Sequence, residues 1–591
     1  MKTFGKLSYH APDTPTWATD DVAKWAIEAT PDVVIRLKRL FPRADPHRRG
    51  GLILSHTEEV ARDLEWVLQR WPLEMAPDDR RRLTESSTAH QQREEAVLQI
   101  LGGHTRMGEG MLDPIREPRP YQLAAADLAL TVGGTLCGDD LGLGKTMTGL
   151  LVLRAPEALP ALVVCPTHLT RQWVGELKKT FPTMRAHIAR TLKPYNPASR
   201  RDMRGHDPDL LVIPYSKLRG WGEHLRGQVR TVIFDEVQEL RTGPGTDKYV
   251  AAAQIADGAA YRFGLSATPI YNFGGEIHNI YAILAPDRLG SRGEFAREWC
   301  GGGWWSDKVR VEDPAALGTW LRDEGLFLRR TRAEVGRELP EVTRVEHGVD
   351  SDTATLDRLM EGAADLAEMI LHGDRKEAFV ASGEIDWKLR HATGVAKAPY
   401  VAEFVKLLLE SEQKIVLFGW HRDVYDIWRE QLAEYHPVLY TGTESPHQKD
   451  WNRARFLGGQ ALEDIRARYT GTVDESRILI MSLRSGAGLD GLQEVAHVAV
   501  FGELDWSPGM HDQCIGRLHR DGQDEPVVAY FLTADDGADP IIAEALNLKR
   551  MQSEPLRDPN AELFEAVDTS DRIRQLAERV LARRNARRPT T

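Results

Sequence analysis

Three short stretches carry residue types that together could bind a nucleoside triphosphate and cleave its terminal phosphate. They are GDDLGLGKT from Gly138 to Thr146, TVIFDEVQ ending at Gln238, and QCIGRLHRDGQ from Gln513 to Gln523. In the first, Gly142 and Gly144 let backbone N–H groups approach phosphate oxygens, and a following helix would add its positive end. Lys145 would neutralise β- and γ-oxygens, and Thr146 would ligate Mg2+. Asp139 stands where the general phosphate-loop pattern has its first glycine. Asp235 and Glu236 end a buried apolar run, so Asp235 would hold the metal through water while Glu236 orients and deprotonates the attacking water. Gln122, in RPYQLAAADL ahead of the loop, offers an amide able to pair with adenine. Arg517 and Arg520 are three residues apart, and on a helix both would enter one cleft. One would then stabilise charge on the transferring phosphate and the other grip the γ-phosphate. ATP and Mg2+ are the cofactors this chemistry needs. Each element also has a plainer reading: a strand-end acidic pair capping a helix, a surface glutamine, an arginine pair in a structural salt bridge.

These groups need scaffolds that end at the right places. Short apolar runs alternate with helical stretches: ALVVCP ending at Pro166, LLVIP at 210–214, TVIFDE ending at Glu236, and FGLSATP ending at Pro269. A second series is KIVLFGW from Lys414, ILIMS at 478–482, HVAVFGE from His497, and VVAYFL ending at Leu532. Each series predicts a parallel α/β sheet with its functional loops at the carboxyl ends of the strands. The fold class expected is α/β, with two such lobes, helical insertions and a small N-terminal α/β accessory region. The expected domains are an accessory region over 1–117, a first lobe over 118–335, a helical linker over 336–395, a second lobe over 396–555, and a basic helical tail over 556–591. In the accessory region GLILSH reads as a strand. Val60, Leu64, Val67, Leu68 and Trp71 form an apolar helical stripe, and a further helix ends at Gly102 and Gly103.

Composition bounds the rest. At 591 residues the chain exceeds one core, and at about 150 residues per domain it holds several. Hydrophobic residues at 42% and charged residues at 28% give no sign of a membrane span or of wholesale disorder. The opening MKTFGKLSYHAPDTP lacks the apolar core of a signal peptide, so an intracellular protein, cytoplasmic or nucleoid-associated, is expected. Cys137, Cys165, Cys300 and Cys514 form no CxxC pair, which fits reduced thiols and argues against a zinc module. The net charge of -12 does not exclude a nucleic-acid partner, because a groove needs only local Lys and Arg. Local clusters occur at Arg36, Lys38, Arg39, Arg43, Arg48 and Arg49, and again at Arg572, Arg574, Arg579, Arg583, Arg584, Arg587 and Arg588. A solvated helix face is the plainer account of either. Trp304 and Trp305, after three glycines, read as loop anchors, with a base-stacking wedge as the alternative.

The motifs RPYQ, DDLGLGKT, LVVCPTHLTRQW, DEVQ, LSATPIYN, FLRRTRAEV, LYTGTES, SLRSGAGLDGL and DWSPGMHDQCIGRLHRDGQ occur in the order seen in Swi/Snf-type helicase-like ATPases of superfamily two, over roughly residues 118–550. The chain resembles that family, whose phosphate loop also usually carries an acid at the place of Asp139. The resemblance implies two RecA-like lobes that hydrolyse ATP at their interface and track along double-stranded or branched DNA without reading its sequence. It implies that Ser266, Ala267, Thr268 and Gln513 couple the nucleotide site to DNA. It places Pro166, Thr167, Arg171, Thr441, Gly442, Ser482 and Arg484 on the phosphate backbone, a role suited to N–H and O–H donors. Gly488 and Asp490 match the second-lobe loop near the ribose. LRHATGVAKAPYV, Leu389 to Val401, resembles the form found in fork-remodelling, strand-annealing members. No substrate-recognition repeat of that subgroup is visible in residues 1–117, where a protein partner would instead engage. Gln238 stands where the family usually has histidine, a departure bearing on how hydrolysis couples to motion.

Two other readings stay open on motif order: a strand-separating DNA or RNA helicase, and a noncatalytic ATP-gated subunit of a larger complex. The GLGKT form, the LRR at Leu328 to Arg330 and the helical insertions favour a duplex translocase over the first. Intact Lys145, Glu236 and Arg520 weigh against the second.

Overall fold

A computed structural model describes residues 3–12, 22–104, 110–140, 142–266, 274–286, 288–301, 309–332, 334–336, 339–372, 375–467, 473–483, 489, 491–544, 546, 577–578 and 580–581. The chain forms two compact units, the first spanning Met1–Val335 and the second beginning at Gly336.

The first unit opens with an antiparallel sheet of β1 (Gly5–His10), β2 (Lys24–Ala29) and β3 (Gly51–Ser55). Helices α1 (Pro31–Leu40), α2 (Glu58–Arg70) and α3 (Pro77–Leu101) accompany it. The stripe predicted from spacing falls on α2, where Val60, Leu64 and Val67 are buried, and Thr57 caps the helix by accepting from the Val60 N–H at 3.0 Å. This sheet is fastened to the remainder of its unit through buried ion pairs. Arg43 reaches Glu59 at 3.3 Å and Glu298 at 3.0 Å, Arg297 donates to the Arg43 carbonyl at 2.7 Å, and the Ser55 N–H donates to Glu294 at 2.6 Å.

A seven-stranded parallel sheet then follows, ordered β10-β4-β9-β8-β5-β7-β6. Its strands are β4 (Gly134–Cys137), β5 (Ala161–Cys165), β6 (Ala186–Ile188), β7 (Leu210–Pro214), β8 (Thr231–Asp235), β9 (Tyr261–Leu265) and β10 (Phe327–Leu328). The four apolar runs singled out in the first series are β5, β7, β8 and β9. Almost every residue in them is buried, as a sheet covered on both faces requires. From β4 the sheet order runs one way to β10 and the other to β9 and beyond, which opens the carboxyl edge around β4 as a ligand crevice.

The second unit holds a six-stranded parallel sheet, ordered β11-β16-β15-β12-β14-β13. Its strands are β11 (Val342–Gly348), β12 (Ile415–Gly419), β13 (Val438–Tyr440), β14 (Ile478–Ser482), β15 (Val498–Phe501) and β16 (Val527–Thr533). The stretch read as a helical linker contributes the edge strand β11, and the helix Arg375–Leu408 runs straight through residue 395. Trp304, Trp305 and the arginines singled out between 572 and 588 lie outside the described residues.

Candidate active site

The phosphate loop begins where β4, buried along its whole length, runs out at Cys137. Gly142 and Gly144 adopt φ of 86° and 77°, a region closed to most side chains, and this lets the loop curl back on its own backbone. Gly144 caps the helix Lys145–Leu151, α5 in the order that runs through α4 (Pro120–Val132). The Lys145 ammonium donates to the carbonyls of Asp139 at 2.7 Å and Asp140 at 3.2 Å, so it lies across the loop that would receive the phosphates. Thr146 follows it, half-buried.

Two residues of α4 hold the loop from behind. Gln122 is buried. Its amide N–H donates to the Leu143 carbonyl at 3.1 Å and its amide oxygen accepts from the Arg119 N–H at 3.1 Å. The Tyr121 hydroxyl donates to the same Leu143 carbonyl at 3.1 Å. Gln122 thus acts as a brace between the start of α4 and the loop.

Asp139 was singled out as a nucleotide-binding position, and the structure gives its carboxylate another task. It is fully buried and accepts from Arg330 three times: from the backbone N–H at 3.0 Å, Nε at 3.0 Å and Nη2 at 2.6 Å. A glycine here would leave that guanidinium unpaired in the interior.

The acidic pair sits at the end of β8. Asp235 is its last residue, and Glu236 follows with φ 54° and ψ 54°, a left-handed conformation uncommon outside glycine, Asn and Asp. Such strain concentrates where a side chain has to be aimed. Burial, followed by the adjacent Glu236 carboxylate, pushes Asp235 well above the usual carboxylate range. The Trp173 indole opposes this by donating to Asp235 Oδ2 at 2.8 Å. Trp173 lies on α6 (Thr170–Thr180), and its ring packs so closely on α5 that a Cβ on Gly149 would stand 2.8 Å from it. Gln238 donates its amide to Glu236 Oε2 at 2.5 Å, so the residue that replaces the expected histidine bonds directly to the candidate base.

The remaining first-unit positions share the same carboxyl edge. Ser266, just past β9, donates its N–H to the Cys137 carbonyl at 3.0 Å, which ties the end of β9 to the start of the phosphate loop. Pro166 and Thr167 follow β5. The Thr167 hydroxyl meets that of Ser216 at 3.3 Å, and Arg171 is exposed on α6. Ala267 and Thr268 lie outside the described residues.

In the second unit, Thr441 follows β13 and donates its hydroxyl to Glu444 at 2.9 Å, while Gly442 beside it is exposed with open space around it. Ser482 ends β14. Gln513 lies on the helix Pro508–Ile515, which stops before the two arginines. Arg517 and Arg520 therefore occupy turns and not the helical pair their spacing predicts. Gly516 ends the helix, and Gln523 pins the turns by donating to the Leu518 carbonyl at 3.2 Å and the Ala496 carbonyl at 2.9 Å. Arg484, Gly488 and Asp490 lie outside the described residues.

The oxygen donors suit a hard cation. Thr146 and Asp235 supply a hydroxyl and a carboxylate, the sparse set with which Mg2+ is held when phosphates and water complete its shell. Among the described residues no cluster of three or more His, Cys, Asp or Glu could hold a metal by itself.

Comparison with known proteins gives the same reading. Residues 60–353 match the model of the SNF2-related domain. This chain is a Swi/Snf-type helicase-like ATPase. It is 25% identical over 450 residues to the SWI/SNF-related matrix-associated actin-dependent regulator of chromatin subfamily A-like protein 1 of Drosophila melanogaster, covering 73% of this chain and 55% of that protein. It is 24% identical over 455 residues to the DNA annealing helicase and endonuclease ZRANB3 of Mus musculus, covering 73% of this chain and 40% of that one. This ATPase thus spans about half the length of these relatives. Among solved structures it is similar to the Sulfolobus solfataricus SWI2/SNF2 ATPase core in complex with dsDNA, with 20% identity, a TM-score of 0.35, and 76% of this chain and 95% of that chain covered. Two parallel α/β sheets, one in each unit, are the fold class that the sequence led us to expect.

Trp173, Tyr121 and Arg330 carry much of the site's geometry, and none stood out as a chemical group in the sequence. The one available signal was their position inside the motifs TRQW, RPYQ and FLRR.

Proposed function

We propose that this Swi/Snf-type ATPase is an ATP-driven translocase of double-stranded DNA that remodels protein–DNA complexes or branched DNA. One observation carries the reading: a single sheet edge holds the Lys145 loop after β4, the Asp235–Glu236 pair after β8, Ser266 after β9 and Pro166–Thr167 after β5. Groups able to hydrolyse a phosphoanhydride and groups able to grip a phosphodiester backbone then rest on adjacent strands, so a shift at one is felt by the other. Lys145 leaves the loop carbonyls to meet the β- and γ-phosphates. Trp173 keeps the Asp235 carboxylate oriented and favours its ionised form. Glu236, aimed by its backbone and held by Gln238, orients the attacking water and takes its proton. Bound Mg2+ would be held by Thr146 and Asp235 and neutralise phosphate charge. Arg517 and Arg520 supply cationic charge to the transferring phosphate. Thr167, Arg171, Gly442 and Ser482 contact phosphates, which gives binding without base readout.

No helix among the described residues is long and apolar enough to cross a membrane, and a protein acting on DNA works inside the cell. A protein partner would engage the N-terminal sheet and its helices. The test pairs a triplex-displacement assay with a duplex-unwinding assay, alongside ATPase rates with duplex DNA, single-stranded DNA and RNA. Displacement without unwinding, with duplex DNA the best activator, is the expected result. Robust unwinding would assign the chain to strand-separating helicases, and strongest activation by RNA would overturn the substrate class.

A further inference from the structure

The phosphate loop is paired, residue by residue, with the last stretch of the first unit. The Leu136 and Gly138 N–H groups donate to the Leu326 and Leu328 carbonyls at 2.8 and 2.7 Å, so the parallel pairing of β4 with β10 continues beyond both strands. The Asp140 N–H donates to the Arg330 carbonyl at 3.1 Å, and the Asp140 carboxylate pairs with Arg329 at 3.2 Å. Asp139 takes three bonds from Arg330, and Arg330 Nη1 also donates to the Tyr121 carbonyl. One guanidinium therefore joins the loop to the helix that carries Gln122. Further along, a Cβ on Gly142 would stand 2.7 Å from the Arg332 guanidinium, so Arg332 lies directly against the glycine turn.

Three residues after Arg332 the chain reaches Val335, the end of the first unit, and at Gly336 the second begins. Whatever connects the two units along the backbone starts from a segment bonded to the nucleotide loop. The carbonyls that Lys145 occupies, those of Asp139 and Asp140, belong to the residues that Arg330 and Arg329 hold. Arrival of a phosphate that draws Lys145 away must therefore alter a backbone stretch already joined to the connector.

We infer that Arg329–Arg332 is a tether that transmits the state of the nucleotide loop to the connector, with Arg330 as its positioning residue and Asp139 as its anchor. The inference rests on the translocase reading above. It explains why an acid occupies the loop position where other phosphate loops have glycine: the loop must be bonded as well as tightly turned. Burial disfavours the Arg330 charge, yet Asp139 outweighs it and holds the guanidinium above its ordinary value, so the guanidinium stays charged. Lysine at 330 would keep the charge but lose the planar fork that reaches Asp139 and Tyr121 together.

The experiment compares wild type with Arg330→Lys and with Arg332→Gln, which leaves the Arg330–Asp139 pair in place. Each protein is assayed for ATP turnover with and without duplex DNA, for third-strand displacement per ATP, and for thermal melting. A coupling of ordinary size predicts that displacement per ATP falls about tenfold in each variant, while basal turnover of Arg332→Gln stays within about threefold of wild type. Turnover, displacement and melting temperature falling together would mark a merely structural pair and overturn the tether. So would displacement per ATP equal to wild type in both variants. If wild type hydrolyses ATP but displaces no third strand, the translocase reading fails instead. The tether is then judged by duplex stimulation of turnover, which it predicts to be lost in both variants, and wild-type stimulation would overturn it.

Discussion

Replacing Trp173 with phenylalanine isolates one hydrogen bond at the candidate metal ligand. Phenylalanine refills most of the space between α6 and α5 but removes the indole N–H that reaches Asp235 Oδ2 at 2.8 Å. A hydrogen bond to a charged group contributes about 1.5–3 kcal/mol. That bond favours the ionised, correctly oriented carboxylate, whereas burial and Glu236 oppose ionisation. Without it, binding that requires the carboxylate should weaken by about ten- to a hundredfold, at roughly 1.4 kcal/mol per decade. The assay is the Mg2+ dependence of DNA-stimulated ATP turnover at saturating ATP and constant ionic strength, with thermal melting run in parallel. The half-saturating Mg2+ concentration should rise by about tenfold or more, with the smaller ring costing about 1 kcal/mol of stability. An unchanged Mg2+ dependence in a folded Trp173→Phe protein would refute the assignment of Asp235 to the metal.

Glu236→Gln should bind ATP as wild type does while turnover falls by about two to four orders of magnitude, because the base is lost and the shape is kept. Nucleotide binding by fluorescence and phosphate release by stopped flow separate the two, and wild-type turnover would remove the base assignment. Arg43→Met should lower the stability of the first unit by up to about 3–5 kcal/mol, because Glu59 and Glu298, both partly buried, would lose their cation. Chemical denaturation reads this directly. His511 is buried against Phe501 and Phe531, and desolvation holds its pKa well below 6.5. The unfolded chain then takes up a proton that the folded one refuses. The second unit should therefore lose stability as the pH drops below about 6.5, by up to about 1.4 kcal/mol per pH unit. His511→Gln should flatten that slope in melting experiments between pH 7.5 and 5.5.

Long apolar runs were the most legible part of the sequence, because a strand buried on both faces leaves no polar residue to blur its limits. ALVVC, LLVIP, TVIFD and ILIMS became strands almost residue for residue. Strand β10 was not legible, since two residues of FLRR carry no period, and β11, at a sheet edge, is exposed apart from half-buried Val342 and Val345, which stand three residues apart and so give no strand period. Residues that act on substrate were visible because their types are restrictive: a lysine after glycine, an acidic pair after an apolar run. Residues that act on those residues were not. Trp173 and Arg330 meet their partners across 62 and 191 positions, a distance that no local spacing encodes. Arg517 and Arg520 show the opposite error, where a spacing of three suggested a helix that Gly516 had already ended.

The order in which the strands pair also constrains how the chain folds during synthesis. In the first large sheet the earliest strand, β4, takes β10, the last, as a neighbour. In the second sheet the earliest, β11, has β16, the last, as its strand partner. Val342 lies opposite Val527, so β11 leaves the ribosome well before the strand that will cover its edge. At about 5–20 residues per second that interval lasts on the order of ten to forty seconds. During it an unpaired edge is open to other chains. Neither lobe can finish its sheet from the part already made, so dependence on chaperones should be greatest while each closing strand is still unsynthesised.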